Sequence, residues 1–505
     1  MAGAVHLVDR GTVTGDSPPS SKLTGWLETA IFVSLAAVAL CAPLSTKGAV
    51  NCFRGAAVLW LISLCAGKRR LFPQPLAVPL ILFLVLTAIS SAFSVDPLLS
   101  WGRMRTASLI LLAIVAGQAI VRRRQLKILT GLLIGSCLLT VIYTGWQYTA
   151  GIGVRANGNG PALTSLHHFG LMPGDIIRKV GSTPVRNPDD LGRRQFPSAP
   201  VELLLWRETP NALQPFRVRV DPRSLQAALL TPPVILTRAH PPRAQGFFKH
   251  YFPFSEILVF IGSLIGGFIV SGVPSRRLRI GFIVAFLLTA TTLGLTLTRI
   301  SLTSLMVGVL VMILIRGTSG IKWISLAGFL VIALAGLYWV QRHRTGLESD
   351  PGTEYRLAMW HDSIALIRAH PLLGVGFDSV AGDWQRWNLE AYRRFGLHSH
   401  FHSTPIQLAV ECGLPALASW VWLMVGYAIF LLRLDRALRD TDWFDRGLLL
   451  GILGGLAGFV LTGFLQYNFG DAEAMVVFWL LMGLAFALNR LAGDAKSTSS
   501  TFSRV

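Results

Sequence analysis

Residues 447–467 read GLLLGILGGLAGFVLTGFLQY, without one charged side chain. A helix of about 20 such residues is long enough to cross the hydrocarbon core of a bilayer. Outward from this stretch, comparable runs recur near 24–44, 50–67, 74–94, 105–121, 126–148, 253–273, 279–297, 301–316, 322–340, 408–432 and 473–490. About twelve transmembrane helices are therefore expected, with those at 50–67 and 301–316 short. Composition agrees. Of 505 residues, 52% are hydrophobic and 14% charged, and the mean hydropathy is +0.54. That is too little polar surface for a water-soluble globule of this length. The expected fold class is an all-α polytopic membrane protein.

The net charge of +20 would by itself admit a nucleic-acid partner. Its distribution argues against one. Lys and Arg cluster in short loops: Lys68-Arg69-Arg70, Arg122-Arg123-Arg124 with Lys127, Arg276-Arg277 with Arg279, Arg316 with Lys322, Arg433 with Arg436 and Arg439, and Arg490 with Lys496. With twelve spans all of these fall on one side. Short basic loops stay in the cytoplasm, which puts both termini there. The other side then receives two long segments, 150–250 and 341–405, and Arg299. Cys41, Cys52, Cys65, Cys137 and Cys412 lie in or near apolar runs at no metal-ligand spacing, and read as small buried hydrophobes. Residues 1–22 read as a cytoplasmic tail, and the first span as an uncleaved signal.

The expected organisation is a tail (1–22), five spans (23–149), an outer domain (150–240), four spans (241–340), an outer loop (341–405), three spans (406–492) and a second tail (493–505). The outer domain differs from the rest in composition. GLMPGDIIRKVGSTPVRNPDDL (170–191) sets a Gly-x-x-Pro173-Gly174-Asp175 turn before an apolar strand, then a second turn at Gly181. VELLLWRE (201–208) and FRVRV (216–220) alternate as strands do. This pattern resembles a PDZ domain, with GIGV (151–154) as a candidate carboxylate-binding loop. The resemblance implies a small β-rich fold and a peptide or protein partner.

The outer loop is dense in ionisable groups: RLAMWHDSIALIRAHPLLGVG (356–376), then HSHFHSTPIQLAVECGLPA (398–416). Charged groups beside membrane spans are costly and need a reason. Arg356, Trp360, His370-Pro371, Gly374, Gly376, His402-Ser403 and Gly413 follow the order and spacing of the large outer loop of the O-antigen ligase and polymerase family, which this chain resembles over roughly 243–490. It departs at Ser403, where Asn is commoner, and at Ala416, where Gly is usual. RAQGFF (243–248) is similar to the family's Arg-x-x-Gly-aromatic entry into a span, and Thr298-Arg299-Ile300 stands where Ser-Arg-Gly is frequent.

The resemblance implies a lipid-linked glycosyltransferase fold of the GT-C type in a bacterial inner membrane, with its active site facing the periplasm. It implies a polyprenyl-diphosphate-linked glycan as donor, a glycolipid or glycan acceptor, and inversion in one displacement. Such a reaction needs cations at the diphosphate and a base at the acceptor hydroxyl. Arg pairs its planar fork with phosphate oxygens, and His titrates near neutrality. His402 is accordingly expected as the base and Arg299 and Arg356 as diphosphate ligands. Arg243, His400 and Trp360 are the expected further substrate contacts. In an extended segment His398, His400 and His402 share a face and could hold a metal. No Cys or carboxylate lies close in sequence as a fourth ligand, however, and no Asp-x-Asp or Glu-x-Asp pair marks the first outer loops. Metal-independent chemistry without a cofactor is expected. Asp471 is read as a helix N-cap that could also orient an Arg. Ligase and polymerase activities share these motifs. A polytopic transporter is the competing class, but it should carry its ionisable groups near mid-span. A PDZ-bearing scaffold leaves the His402 region unexplained.

Overall fold

The computed structural model describes residues 22–67, 71–157, 167–172, 174–193, 199–208, 213–230, 234–343, 351–396, 399–438 and 441–502. Lys68-Arg69-Arg70, Pro173, His398, Arg439 and most of the first tail lie outside the described residues. Among the described residues, nine helices are long and apolar enough to cross a membrane: Thr46–Cys65, Pro97–Ala119, Arg123–Ala150, Tyr251–Val270, Arg276–Leu295, Arg299–Arg316, Thr404–Ala437, Trp443–Leu465 and Ala472–Gly493. The chain is thus a mostly helical, multi-pass membrane protein. The other three expected spans coincide with shorter apolar helices, Gly25–Cys41, Ala77–Ala92 and Ser319–Val331. Ala77–Ala92 has 16 residues. It rises about 24 Å, short of the roughly 30 Å hydrocarbon core.

The charge-free stretch that opens the sequence reading forms the centre of the bundle. Its glycines leave no side chain between backbones. A Cβ on Gly451 would come within 2.5 Å of Leu264 Cα, and one on Gly454 within 2.9 Å of Gly308 O. Helices Tyr251–Val270 and Arg299–Arg316 therefore lie directly against Trp443–Leu465. Small residues at a crossing gain dispersion contacts in a solvent that gives no hydrophobic drive for helix association. Phe459 stacks on Phe478 at 4.6 Å between centroids and on Phe260 at 5.7 Å, filling the space beside the glycines.

The two ends of the bundle differ in chemistry. At one end, basic side chains pair with acids or cap carbonyls. Arg316 Nη2 lies 2.7 Å from Asp435 Oδ1, Arg123 Nη2 lies 3.2 Å from Asp445 Oδ2, and Arg490 donates to the Gln118 and Ile120 carbonyls. At the other end, hydrogen bonds to backbone carbonyls gather five separate segments. Val95 N donates to Val375 O at 3.2 Å, Ala244 N to Leu295 O at 2.9 Å, and Thr404 Oγ1 to Gln466 O at 3.2 Å.

Residues 153–239 carry a six-stranded antiparallel sheet: β1 Gly153–Asn157, β2 Ile176–Val180, β3 Thr183–Pro184, β4 Val201–Glu208, β5 Leu213–Val220 and β6 Ile235–Ala239. The strand order is β5-β4-β2-β1-β6, with β3 on β2. Val154, Ile177, Leu203, Leu205, Leu225 and Leu229 form its core, the last two from helix Pro222–Leu230. The Gly-Asp turn is held by Arg207, which donates to Asp175 from Nε (2.9 Å) and Nη2 (2.7 Å). The candidate loop 151–154 runs into β1, where Gly153 pairs with β6 and Val154 with both β2 and β6. Gly153 is needed there because a Cβ would meet Ile177 O at 2.5 Å.

Candidate functional site

The site lies at the end of the bundle where the five segments meet. The sequence HPLLGVG (370–376) is a turn that crosses a break in helix Thr404–Ala437. The break is at Gly413, whose φ of +83° is open to glycine and strained for other residues. Leu414 N donates to Pro371 O at 2.8 Å, Val375 N to Val410 O at 3.0 Å and Gly376 N to Glu411 O at 2.9 Å. A Cβ at Gly413 would sit 2.2 Å from Leu372 O. The glycine spacing thus serves close backbone approach. It anchors the outer loop to the bundle and fixes where the preceding histidines emerge.

His402 has φ +50°, in the left-handed region that non-glycine residues seldom occupy. Such strain persists only where the surroundings over-determine it. Here they do. Phe401 is fully buried, its N–H donates to Gln407 Oε1 at 2.8 Å, and its carbonyl accepts from Trp360 Nε1 at 2.8 Å. His402 N donates to His400 Nδ1 at 3.2 Å, and Tyr355 packs edge-on against the His402 ring at 5.8 Å. The His402 Nδ1 contact with Gln466 Oε1 is 3.2 Å. With the amide oxygen accepting, Nδ1 carries the proton and the Nε2 lone pair is free.

The three expected arginines line one cleft of about 870 Å³. Arg243, Arg299 and Arg356 share its wall with Gln466, Tyr251 and Thr298. Each comes from a different element. Arg299 opens helix Arg299–Arg316, so it stands at the positive end of a helix dipole. Arg356 is half-buried on helix Pro351–Ala369. Arg243 precedes helix Tyr251–Val270 and lies over the Tyr251 ring at 4.3 Å. Among the described residues no carboxylate pairs with any of the three. Glu354 is taken by Arg394 at 2.6 Å, and Asp362 accepts the Ala391 N–H at 3.0 Å. Unpaired guanidinium groups facing one cleft, beside a helix N-terminus, suit an anionic ligand.

Burial and the nearby Arg356 charge push His402 down to about 4, against the Gln466 contact, which raises it. The imidazole is therefore neutral at pH 7, the form that accepts a proton. His400 is pushed well below the usual imidazole value, first by burial and then by His402, His250 and Arg356. Its ring is 4.4 Å from that of His402 and 5.6 Å from Tyr467. His400 lines a second, smaller pocket rather than the arginine cleft. Trp360 lines neither and holds the Phe401 carbonyl. Asp471 lines the smaller pocket and its carbonyl accepts from Met475 N at 3.0 Å.

Residues 284–421 match the O-antigen ligase family model. The match covers about a quarter of the chain and includes Arg299, Arg356, Trp360, His400, His402 and Gly413. No curated protein matches the chain. The O-antigen ligase match supports that family and a glycosyltransferase-like membrane enzyme, whose substrates in the family are a lipid-linked glycan and a glycan acceptor. Gln466 lies beyond the matched residues and was not singled out from sequence. Its only signal is a polar side chain where the apolar run 447–467 ends.

His361, Asp362 and Glu390 bring potential metal-ligand atoms within 4.8 Å of one another at the loop surface. They line neither the arginine cleft nor the pocket at His400.

Proposed function

We propose that this protein transfers a glycan from polyprenyl diphosphate to an acceptor hydroxyl at the periplasmic face of a bacterial inner membrane. The observation that carries the reading is the cleft: three arginines with no acid partner among the described residues, and His402 tied to its wall through Gln466. The acceptor oxygen attacks the anomeric carbon and its proton passes to His402 Nε2. The bond from the anomeric carbon to the phosphate oxygen breaks. The departing polyprenyl diphosphate keeps the electron pair, and Arg243, Arg299 and Arg356 hold its charge. One such displacement inverts the anomeric centre. A bound diphosphate also offsets the Arg356 charge, which moves His402 up toward the working pH, where a base is most effective.

Trp360 acts as a positioning residue through the Phe401 carbonyl, and Tyr355 through its ring contact with His402. The arginines take the role that a divalent cation has in other diphosphate transfers, so the chemistry is metal-independent. The basic loops at the far end of the bundle are cytoplasmic by the positive-inside rule, and twelve crossings keep both termini with them. The β-rich domain is a PDZ-like insert in an outer loop, a docking module for a peptide or protein. Transfer to a glycolipid core is favoured over polymerisation, although the same displacement serves both. The test is genetic and chemical together. Deletion of the gene should accumulate a polyprenyl-diphosphate-linked glycan, and the wild-type gene should clear it while His402→Ala does not. Clearance by His402→Ala as complete as by wild type would overturn the proposal.

A further inference from the structure

A second pocket, of about 280 Å³, adjoins the arginine cleft and differs from it in chemistry. Asp378, Asp471, Tyr467, His400, Thr106 and Arg103 line it. Its one arginine is already neutralised, since Arg103 Nε lies 2.9 Å from Asp378 Oδ2. The wall between the two cavities is built from neighbours in sequence. Gln466 lines the arginine cleft and Tyr467 the pocket, while His402 bonds Gln466 and His400 lines the pocket. An anion is drawn to the cleft. In the pocket, Arg103 is taken by Asp378 and burial pushes the Asp471 carboxyl well above its usual range, which leaves a neutral polar lining.

Tyr467 supplies the second observation. It is 6% exposed, and its hydroxyl is buried with no hydrogen-bond partner among the described residues. A buried polar group left unpaired costs free energy that a ligand group of matching chemistry recovers. Gly470 packs against the ring and fixes it, since a Cβ there would come 2.4 Å from Tyr467 Cε1. A hydroxyl that donates and accepts, the Asp378 carboxylate, the buried Asp471 carboxyl and an aromatic ring together suit a neutral polyol. The volume sits at the small end of ligand sites, nearer one sugar ring than an oligosaccharide.

We infer that this pocket is the subsite that holds the sugar ring carrying the acceptor hydroxyl, with Tyr467 and Asp471 binding the ring's other hydroxyls. The inference rests on the transferase reading and assigns each cavity one substrate. The anionic donor enters the arginine cleft. The neutral acceptor sugar enters the acid-lined pocket, and the His400–His402 pair stands between them. Tyr467 and Asp471 are binding residues here, and neither takes the proton.

The test uses the full-length protein in nanodiscs and two kinds of probe. Methyl glycosides of a neutral hexose, an N-acetylhexosamine and a heptose report on the pocket by saturation-transfer NMR. Farnesyl diphosphate reports on the cleft. At least one glycoside should bind wild type, and Tyr467→Phe should weaken that binding roughly tenfold, the worth of one buried hydrogen bond. Asp471→Asn should weaken it too. Both variants should bind farnesyl diphosphate as wild type does, which also shows that they fold. Arg299→Ala should do the reverse. The inference is overturned if no glycoside binds wild type, if binding survives both pocket variants, or if Arg299→Ala abolishes it. Glycoside binding that follows the pocket variants, with farnesyl diphosphate indifferent to Arg299→Ala, would instead overturn the donor assignment and leave the sugar pocket standing.

Discussion

His402 Nδ1 lies 3.2 Å from Gln466 Oε1, and this bond joins the long outer loop to the turn between helices Trp443–Leu465 and Ala472–Phe502. It selects the imidazole tautomer whose Nε2 is free, and it ties the ring to Gln466, a residue of the arginine cleft's wall. Gln466→Ala removes that restraint while leaving the His402 imidazole, the proposed base, in place. Transfer should fall about tenfold in kcat, the value of one hydrogen bond, with a smaller change in donor affinity. Steady-state kinetics at saturating acceptor would check this. An unchanged kcat would mean that the Gln466 bond does not orient the base.

The same contact predicts a pH profile. His402 is pushed down to about 4 in the free protein, so kcat/KM should stay flat from neutrality down and fall only as pH approaches 4. The bound diphosphate offsets Arg356, so the acidic limb of kcat should lie at higher pH. Gln466→Glu places a carboxylate beside the imidazole and should move both limbs upward, since an opposite charge favours the protonated form. Stability follows the same sign. The unfolded imidazole titrates near 6.5 and the folded one near 4. Between these values the unfolded state binds more protons, so this contribution is complete above about 6.5 and is lost as pH falls toward 4. His402→Gln should flatten the dependence of Tm on pH in that window. A Tm profile identical to wild type would contradict the linkage.

The bundle was legible because apolar runs and basic loops are one-dimensional signals. Membrane spans need unbroken apolar sequence, and residues 447–467 announce one. The count was less secure at Ala77–Ala92, where helix length falls below bilayer thickness and packing, rather than hydropathy, decides the path. His402, Arg299 and Arg356 were readable as chemically apt residues beside apolar runs. What sequence could not give was their convergence. Arg243 precedes helix Tyr251–Val270 and Arg299 opens helix Arg299–Arg316, and both helices cross Trp443–Leu465, at Gly451 and Gly454. Gln466 and Tyr467 act only because their turn meets a loop some 60 residues away in sequence.

Gly413→Ala should be far more damaging than an alanine elsewhere in the bundle. It forces a left-handed φ on a non-glycine residue and drives a Cβ into Leu372 O. Strain of this kind costs on the order of 1–3 kcal/mol before the clash is added. Thermal unfolding in detergent should show a clear loss of Tm, or the protein should fail to accumulate. A wild-type Tm would mean that the loop is not anchored at this break.

Sidedness can be read from two exposed arginines. In a cysteine-free background, Arg223→Cys on the β-rich domain and Arg277→Cys in the first turn of helix Arg276–Leu295 should react with a membrane-impermeant maleimide from opposite faces. Arg223→Cys should be labelled in intact spheroplasts and Arg277→Cys only after lysis. Labelling of both from one face would sink the twelve-crossing arrangement.

The cations can be separated from the base by donor binding alone. Arg299→Ala and Arg356→Ala should each weaken farnesyl diphosphate binding, and Lys at either position should restore it in part. Lys keeps the charge but lacks the planar fork that pairs with two phosphate oxygens. Full rescue by Lys would reduce their role to bulk charge.

The most direct measurement is glycan transfer by His402→Ala in a reconstituted assay with defined donor and acceptor, beside farnesyl diphosphate binding by the same preparation. A positioned base contributes about 10²–10⁴-fold in rate. The proposal predicts a loss of that order in transfer, with diphosphate binding retained because the three arginines are untouched. Transfer at the wild-type rate would contradict it and remove His402 from the chemistry.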